Sequence, residues 1–160
     1  MDSPTALLSA KLISVPLAFI ATGYGICASH NIIPRLYPEP VGVSTPIFSH
    51  VFTTGGAFVV PCAVTSVLAS SYMAYRIPSQ RRLWSLAAVS TLVTLPWTRL
   101  WMYPGIVRLM DISVDAGLQA KSTASGEHIV LLKQWVTQNY IRAAMFFVGG
   151  FSGLWASLNA

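Results

Sequence analysis

Charge is the scarcest property of this chain. Only 9% of its 160 residues are Asp, Glu, Lys or Arg, against about 25% in a soluble globular domain, so a water-soluble fold is excluded at the outset. Cysteine is nearly absent. Cys27 and Cys62 are the two present; they fall at different depths of successive apolar segments, and there is no Cys-x-x-Cys. That argues against a disulfide and against quinone-linked thiol chemistry. The sequence contains no Gly-x-Ser-x-Gly, no phosphate-binding glycine loop and no dinucleotide fingerprint, which removes the common hydrolase and nucleotide-binding readings. Ten-residue alternating segments are missing as well, so a membrane β-barrel is not expected.

What remains is apolar. Hydrophobic residues make up 54% of the chain, gathered in Leu7–Ala28, Phe48–Tyr75, Leu83–Tyr103 and Val136–Leu158. Each run meets the roughly 20 helical residues needed to cross about 30 Å of hydrocarbon. The pattern predicts an all-α, integral membrane four-transmembrane-helix up-down bundle, one domain over residues 1–160, with helices about 7–28, 48–75, 83–103 and 126–158. Ser125-Gly126-Glu127-His128 reads as a hydroxyl cap with an acid in the first turn. A helix from there to Leu158 is about 50 Å long at 1.5 Å per residue and protrudes from the bilayer. Cys27-Ala28-Ser29 resembles a signal-peptidase site, but the apolar run before it exceeds the usual 7–15 residues of such a signal, and an uncleaved first helix is expected.

The cations set the orientation. The formal net charge is +5, spread along the chain without a patch, so no nucleic acid is expected as partner; the lipid bilayer is. Arg76, Arg81 and Arg82 share one short loop without an acid, which places that loop and both termini in the cytoplasm, with Lys11 snorkelling to the same surface. The expected home is the endoplasmic reticulum or another endomembrane. This threading carries His30 and Asn31, His50 and Thr53, Arg99 and Tyr103, and Trp135, Asn139 and Arg142 to the opposite face. His128 joins them from the protruding turn.

Arg142 is the most informative of these. A guanidinium at the bilayer centre costs roughly 2.5–3.5 kcal/mol on insertion scales, so such a residue faces a bundle interior. Trp135, Asn139 and Arg142 are spaced by four and three and share a helical face, which continues through Phe146 to Gly149 and Gly153. That glycine pair is a packing motif first and a homo-oligomer face second. Other readings stay open: Arg99 close to its helix end can snorkel, Tyr103 and the tryptophans suit an interfacial belt, and His50 suits an interfacial position. The three histidines lie too far apart in sequence for a local metal motif. No metal is expected, although a three-histidine site on the shared face is an alternative.

Leu132-Lys133-Gln134-Trp135, followed by Asn139, Arg142 and a Gly/Ala-rich run, resembles the last helix of the DUF1772 anthrone oxygenase-like family. Pro96-Trp97-Thr98 through Met102, Pro104 and Leu109 is similar to that family's third helix, and Asn31-Ile32-Ile33-Pro34 to the end of its first. The resemblance implies oxidation of an anthrone-type polyketide to an anthraquinone in secondary metabolite biosynthesis, with no cofactor and O2 as co-substrate. The implied partner is a small aromatic polyketide or related natural product. On that basis His50 (or His128) is the expected base, Arg142 and Arg99 hold phenolate and enolate oxygens, and Asn139 positions a carbonyl. Trp135 stacks on the rings, and Tyr103, Asn31 and His128 are expected among the substrate contacts. One departure stands out: Pro104-Gly105-Ile106 replaces the family's Pro-Thr-Asn. A membrane cyclase or isomerase, or a non-enzymatic scaffold, therefore remains an alternative.

Overall fold

The computed structural model describes residues 4–159. Among them there is no strand; the chain is an all-helical membrane bundle. α1 is Pro4–Cys27, α2 Val41–Arg76, α3 Arg81–Trp97, α4 Tyr103–Val114, α5 Ala116–Ser125 and α6 Glu127–Leu158. α1 packs on α2 and α6, and α3 on the same two, so the four long helices form a square. The helical segments Pro4–Leu36, Val41–Arg76 and Glu127–Leu158 are long and apolar enough to cross a membrane. The crossing expected at 83–103 is not one continuous α-helix. α3 has 17 residues as α-helix, and a π-turn over Thr98–Met102 prolongs it.

The side-chain pattern is inverted relative to a soluble bundle. α1 turns Ala10, Ser14, Ala18, Ala21, Thr22 and Gly25 inward, while Leu12, Ile13, Ile20 and Ile26 face out. Small residues let membrane helices approach, and bulky apolar ones meet lipid at no cost. At the end carrying the α2–α3 connection, Ser66 Oγ donates to the Ser14 carbonyl at 2.9 Å, and the Ser14 and Ser70 hydroxyls bond to each other. Gly149 lies against Thr91 and Ala87 of α3, and Gly153 against Val15 and Trp84. Both glycines are buried, so this seam is spent on packing within the chain. The homo-oligomer face expected through Gly149 and Gly153 is not on the surface.

The other end is built differently. α1 passes into a π-turn over Ala28–Ile32, and α3 into the one over Thr98–Met102. Each is followed two residues later by a proline, Pro34 and Pro104. Proline has no N–H, so the carbonyl four residues earlier loses its α-helical partner, and the turn before it widens. Its closing bonds run from residue 33 to Ala28 and from Tyr103 to Thr98. α2 begins at Val41, seven residues before the expected Phe48, because Val41–Ile47 is an extra pair of turns that Ser44 and Thr45 attach to the Val41 carbonyl.

α4 and α5 cap this end. Ile106, Leu109 and Ile112 of α4 are buried, the first two against Phe48, Leu132 and Trp135. Asp115 caps α5 through Leu118 N–H at 2.9 Å. The expected hydroxyl at the start of α6, Ser125 Oγ, accepts from Glu127 N–H at 3.3 Å; Gly126 takes the cap position in the left-handed region, φ 71°, and Ser122 Oγ accepts from His128 N–H at 3.0 Å. Glu127 takes two hydrogen bonds from Arg108, at 2.7 and 3.0 Å; this bond holds the Arg108 guanidinium above its ordinary range.

Candidate functional site

Asn139 is the anchor of the polar site. It is fully buried, and its amide nitrogen donates to the Gly25 carbonyl at 2.9 Å and to Ser29 Oγ at 2.7 Å. Both acceptors sit where α1 widens into its π-turn. The amide oxygen accepts from Arg142, one turn further along α6. A second Arg142 nitrogen donates to Thr98 Oγ1 at 3.3 Å, at the start of the other π-turn. The guanidinium is thus held between Asn139 of its own helix and Thr98 by neutral oxygens. The ends of α3 and α6 are further joined by Trp97 Nε1 donating to the Gln138 carbonyl at 3.2 Å and Gln138 Nε2 donating to that of Trp101 at 3.1 Å.

Arg142 faces a cavity of about 250 Å³ between the four long helices. Val51, Phe52, Gly55, Gly56, Val59, Val60 and Ala63 of α2 form one wall; Thr94, Leu95, Thr98, Arg99 and Tyr103 form the opposite one; Trp135, Phe146 and Tyr24 complete it. Arg99 rests on the Tyr103 ring, its guanidinium carbon 4.0 Å from the ring centre, and both are exposed at the rim. No carboxylate or imidazole is among the lining residues. Two cations in an apolar, low-dielectric slot stabilise an anion far more than they would in water.

Tyr24 enters the slot from α1. Its hydroxyl donates to the Val51 carbonyl at 3.3 Å, and its ring occupies the space that a Cβ at position 55 would need. Glycine at 55 is therefore required for this approach. Tyr24 and Arg142 line the same cavity.

The structure gathers Arg142, Arg99, Trp135 and Tyr103 around the cavity and puts Asn139 directly behind Arg142. It does not bring in the rest. His50 is exposed on α2 and outside the lining. His128 is buried, with Nδ1 3.4 Å from Ser122 Oγ, serving the start of α6. Asn31 is exposed and meets only Cys27 Sγ, at 3.9 Å. Asn139 also departs from the carbonyl-positioning role expected of it, since its amide is committed within the protein. Trp135 meets Phe48 edge to face, ring centres 5.5 Å apart, with its indole nitrogen buried and unpartnered. The residues that sequence reasoning missed are Tyr24 and the α2 wall; the glycines flanking Tyr24 and the Gly55-Gly56 pair were the available signals. Cys27 and Cys62 are free thiols.

Compared with known proteins, residues 48–152 match the family model described as Anthrone oxygenase. That span begins on α2 and takes in the cavity walls of α2, α3 and most of α6. No curated protein and no solved structure matches.

Proposed function

The chain belongs to the anthrone oxygenase family, and on that premise we propose that its cavity oxidises an anthrone-type polyketide to the corresponding anthraquinone, with molecular oxygen as co-substrate and no cofactor. The observation that carries this reading is the pair of arginines, Arg142 and Arg99, in a slot whose lining has no acid to neutralise them. An anthrone becomes an anion when its benzylic methylene gives up a proton, because the central ring is then aromatic. A fixed guanidinium favours that anion without reorganising during the reaction. The electron-rich carbon gives its electrons to oxygen and forms a C–O bond. Loss of the second C–H and of water leaves the ketone, so that CH2 and O2 become C=O and H2O.

In this reading Arg142 holds the oxyanion at the inner end, Arg99 attracts the substrate at the rim, and the apolar wall of Val51, Phe52 and Val59 contacts the flat rings. Asn139 acts on Arg142 and not on the substrate. The arginine loop of Arg76, Arg81 and Arg82 supports cytoplasmic termini.

The test is oxygen uptake and quinone formation from emodin anthrone in microsomes containing the chain, corrected for spontaneous air oxidation. Enzyme-dependent uptake of one O2 per quinone supports the proposal. Turnover of the same compound under strict anaerobiosis, without quinone, would replace it with a cyclase or isomerase.

A further inference from the structure

With no imidazole or carboxylate in the lining, proton transfer falls to a hydroxyl. Thr94 Oγ1 and Thr98 Oγ1 give their protons to carbonyls of their own helix at 2.7 and 2.8 Å. Tyr103 lies beneath Arg99 at the rim. Of the hydroxyls lining the slot, Tyr24 comes from α1 and donates across to a carbonyl of another helix. Its 3.3 Å bond is at the long end of the range for a hydroxyl donor, and the acceptor, Val51 O, already serves the α2 backbone. Gly55 keeps room for the ring, and Arg142 lines the same cavity, where a nearby guanidinium favours a phenolate over the same group without one.

We propose that Tyr24 is a catalytic residue that carries the proton through the second half of the oxidation. The assignment rests on the anthrone reading above. Once the substrate carbanion has added O2, the product is a peroxide anion on the ring carbon. Tyr24 gives its proton to the outer peroxide oxygen and becomes a phenolate. The phenolate then takes the remaining hydrogen of that carbon as a proton. The C–H electron pair forms the C=O bond, the O–O bond breaks, and hydroxide leaves. Tyr24 is restored. The substrate carbon is oxidised, both oxygen atoms are reduced, and the anion charge ends on hydroxide.

The experiment compares wild type and Tyr24→Phe in microsomes with emodin anthrone, following oxygen uptake, quinone and the ring hydroperoxide by mass spectrometry. In the variant, oxygen uptake within about threefold of wild type, quinone formation slowed at least tenfold and accumulation of the hydroperoxide are expected. Quinone formed at the wild-type rate without hydroperoxide overturns the assignment, as does a folded variant in which oxygen uptake stops too. If wild type takes up no oxygen, it is the anthrone reading that fails, and Tyr24 with it. Should Tyr24→Phe not fold, 3-fluorotyrosine at position 24 keeps the shape and gives a more acidic phenol. Hydroperoxide breakdown then changes rate while oxygen uptake does not; unchanged breakdown overturns the proposal.

Discussion

The two halves of α6 solve opposite problems with one helix. From Phe146 onward its inward face is Gly149, Gly150, Ser152, Gly153 and Ala156, and neighbouring helices come close enough for Thr91, Phe19 and Trp84 to fill the space a side chain would take. From Glu127 to Arg142 the inward face is His128, Leu132, Trp135 and Asn139. There α1 and α3 both open into π-turns, and a cavity separates the helices. Small residues close a membrane bundle by contact. Large and polar ones, with prolines beyond each wide turn, hold it open. Stability and chemistry are thereby assigned to different lengths of the same rod, and substitutions in each length should show it.

The largest expected effect is on activity, from Arg142→Met. Removing a charge that meets the developing anion should lower kcat/KM for an anthrone about 100-fold or more, measured by oxygen uptake, with little change in thermal unfolding in detergent. A mere structural ion would give the reverse pattern. Next comes Gly149→Leu in the closed half. Its Cβ alone would stand 2.5 Å from Thr91 Oγ1 and 3.1 Å from the Ala87 carbonyl, so overpacking of about 1–3 kcal/mol or more is expected. The unfolding midpoint should fall while turnover per folded molecule holds; a lost turnover number at unchanged stability would break the division.

Asn139→Leu should be intermediate in activity, about tenfold down in kcat/KM, because Arg142 keeps Thr98 but loses its firmer partner. An Asn139→Leu chain as impaired as Arg142→Met would show that the amide meets substrate after all. Ser14→Ala removes an interhelical hydroxyl and should cost only about 0.6 kcal/mol, read from thermal unfolding, with no kinetic change. Smallest of all is His50→Ala. An exposed imidazole off the cavity should alter kcat/KM less than about twofold; a tenfold loss would restore histidine as the base.

How much of this was legible in the sequence follows the same boundary. The apolar runs announced membrane helices, because a helix facing lipid must be apolar over its whole length. Trp135, Asn139 and Arg142 announced a shared face, because their spacing alone fixes it. Arg99 and Tyr103 lie four apart, and the structure sets one upon the other. Tyr24 could not be found in this way. The small-residue face of α1, Ser14, Ala18, Thr22 and Gly25, marks the rotation of that helix, but Tyr24 stands beside the face, where nothing in the sequence tells cavity from lipid. His50 lies off the cavity for a related reason: α2 is uncharged on every side from 41 to 75, so nothing in the sequence marks which side faces the cavity. The π-turns were hidden because proline marks a disturbed helix without saying whether it kinks, ends or widens.

A widened turn is also a change of phase. One residue inserted into an α-helix turns everything beyond it by about 100° around the axis. Beyond Thr98–Met102 lie Tyr103, at the rim, and Ile106, Leu109 and Ile112, whose side chains fasten the cap. Shortening this segment by a single residue would preserve its hydrophobicity almost unchanged, yet swing the cap's greasy face toward water. A change of length in this segment therefore disturbs the cap more than an exchange of one apolar side chain for another.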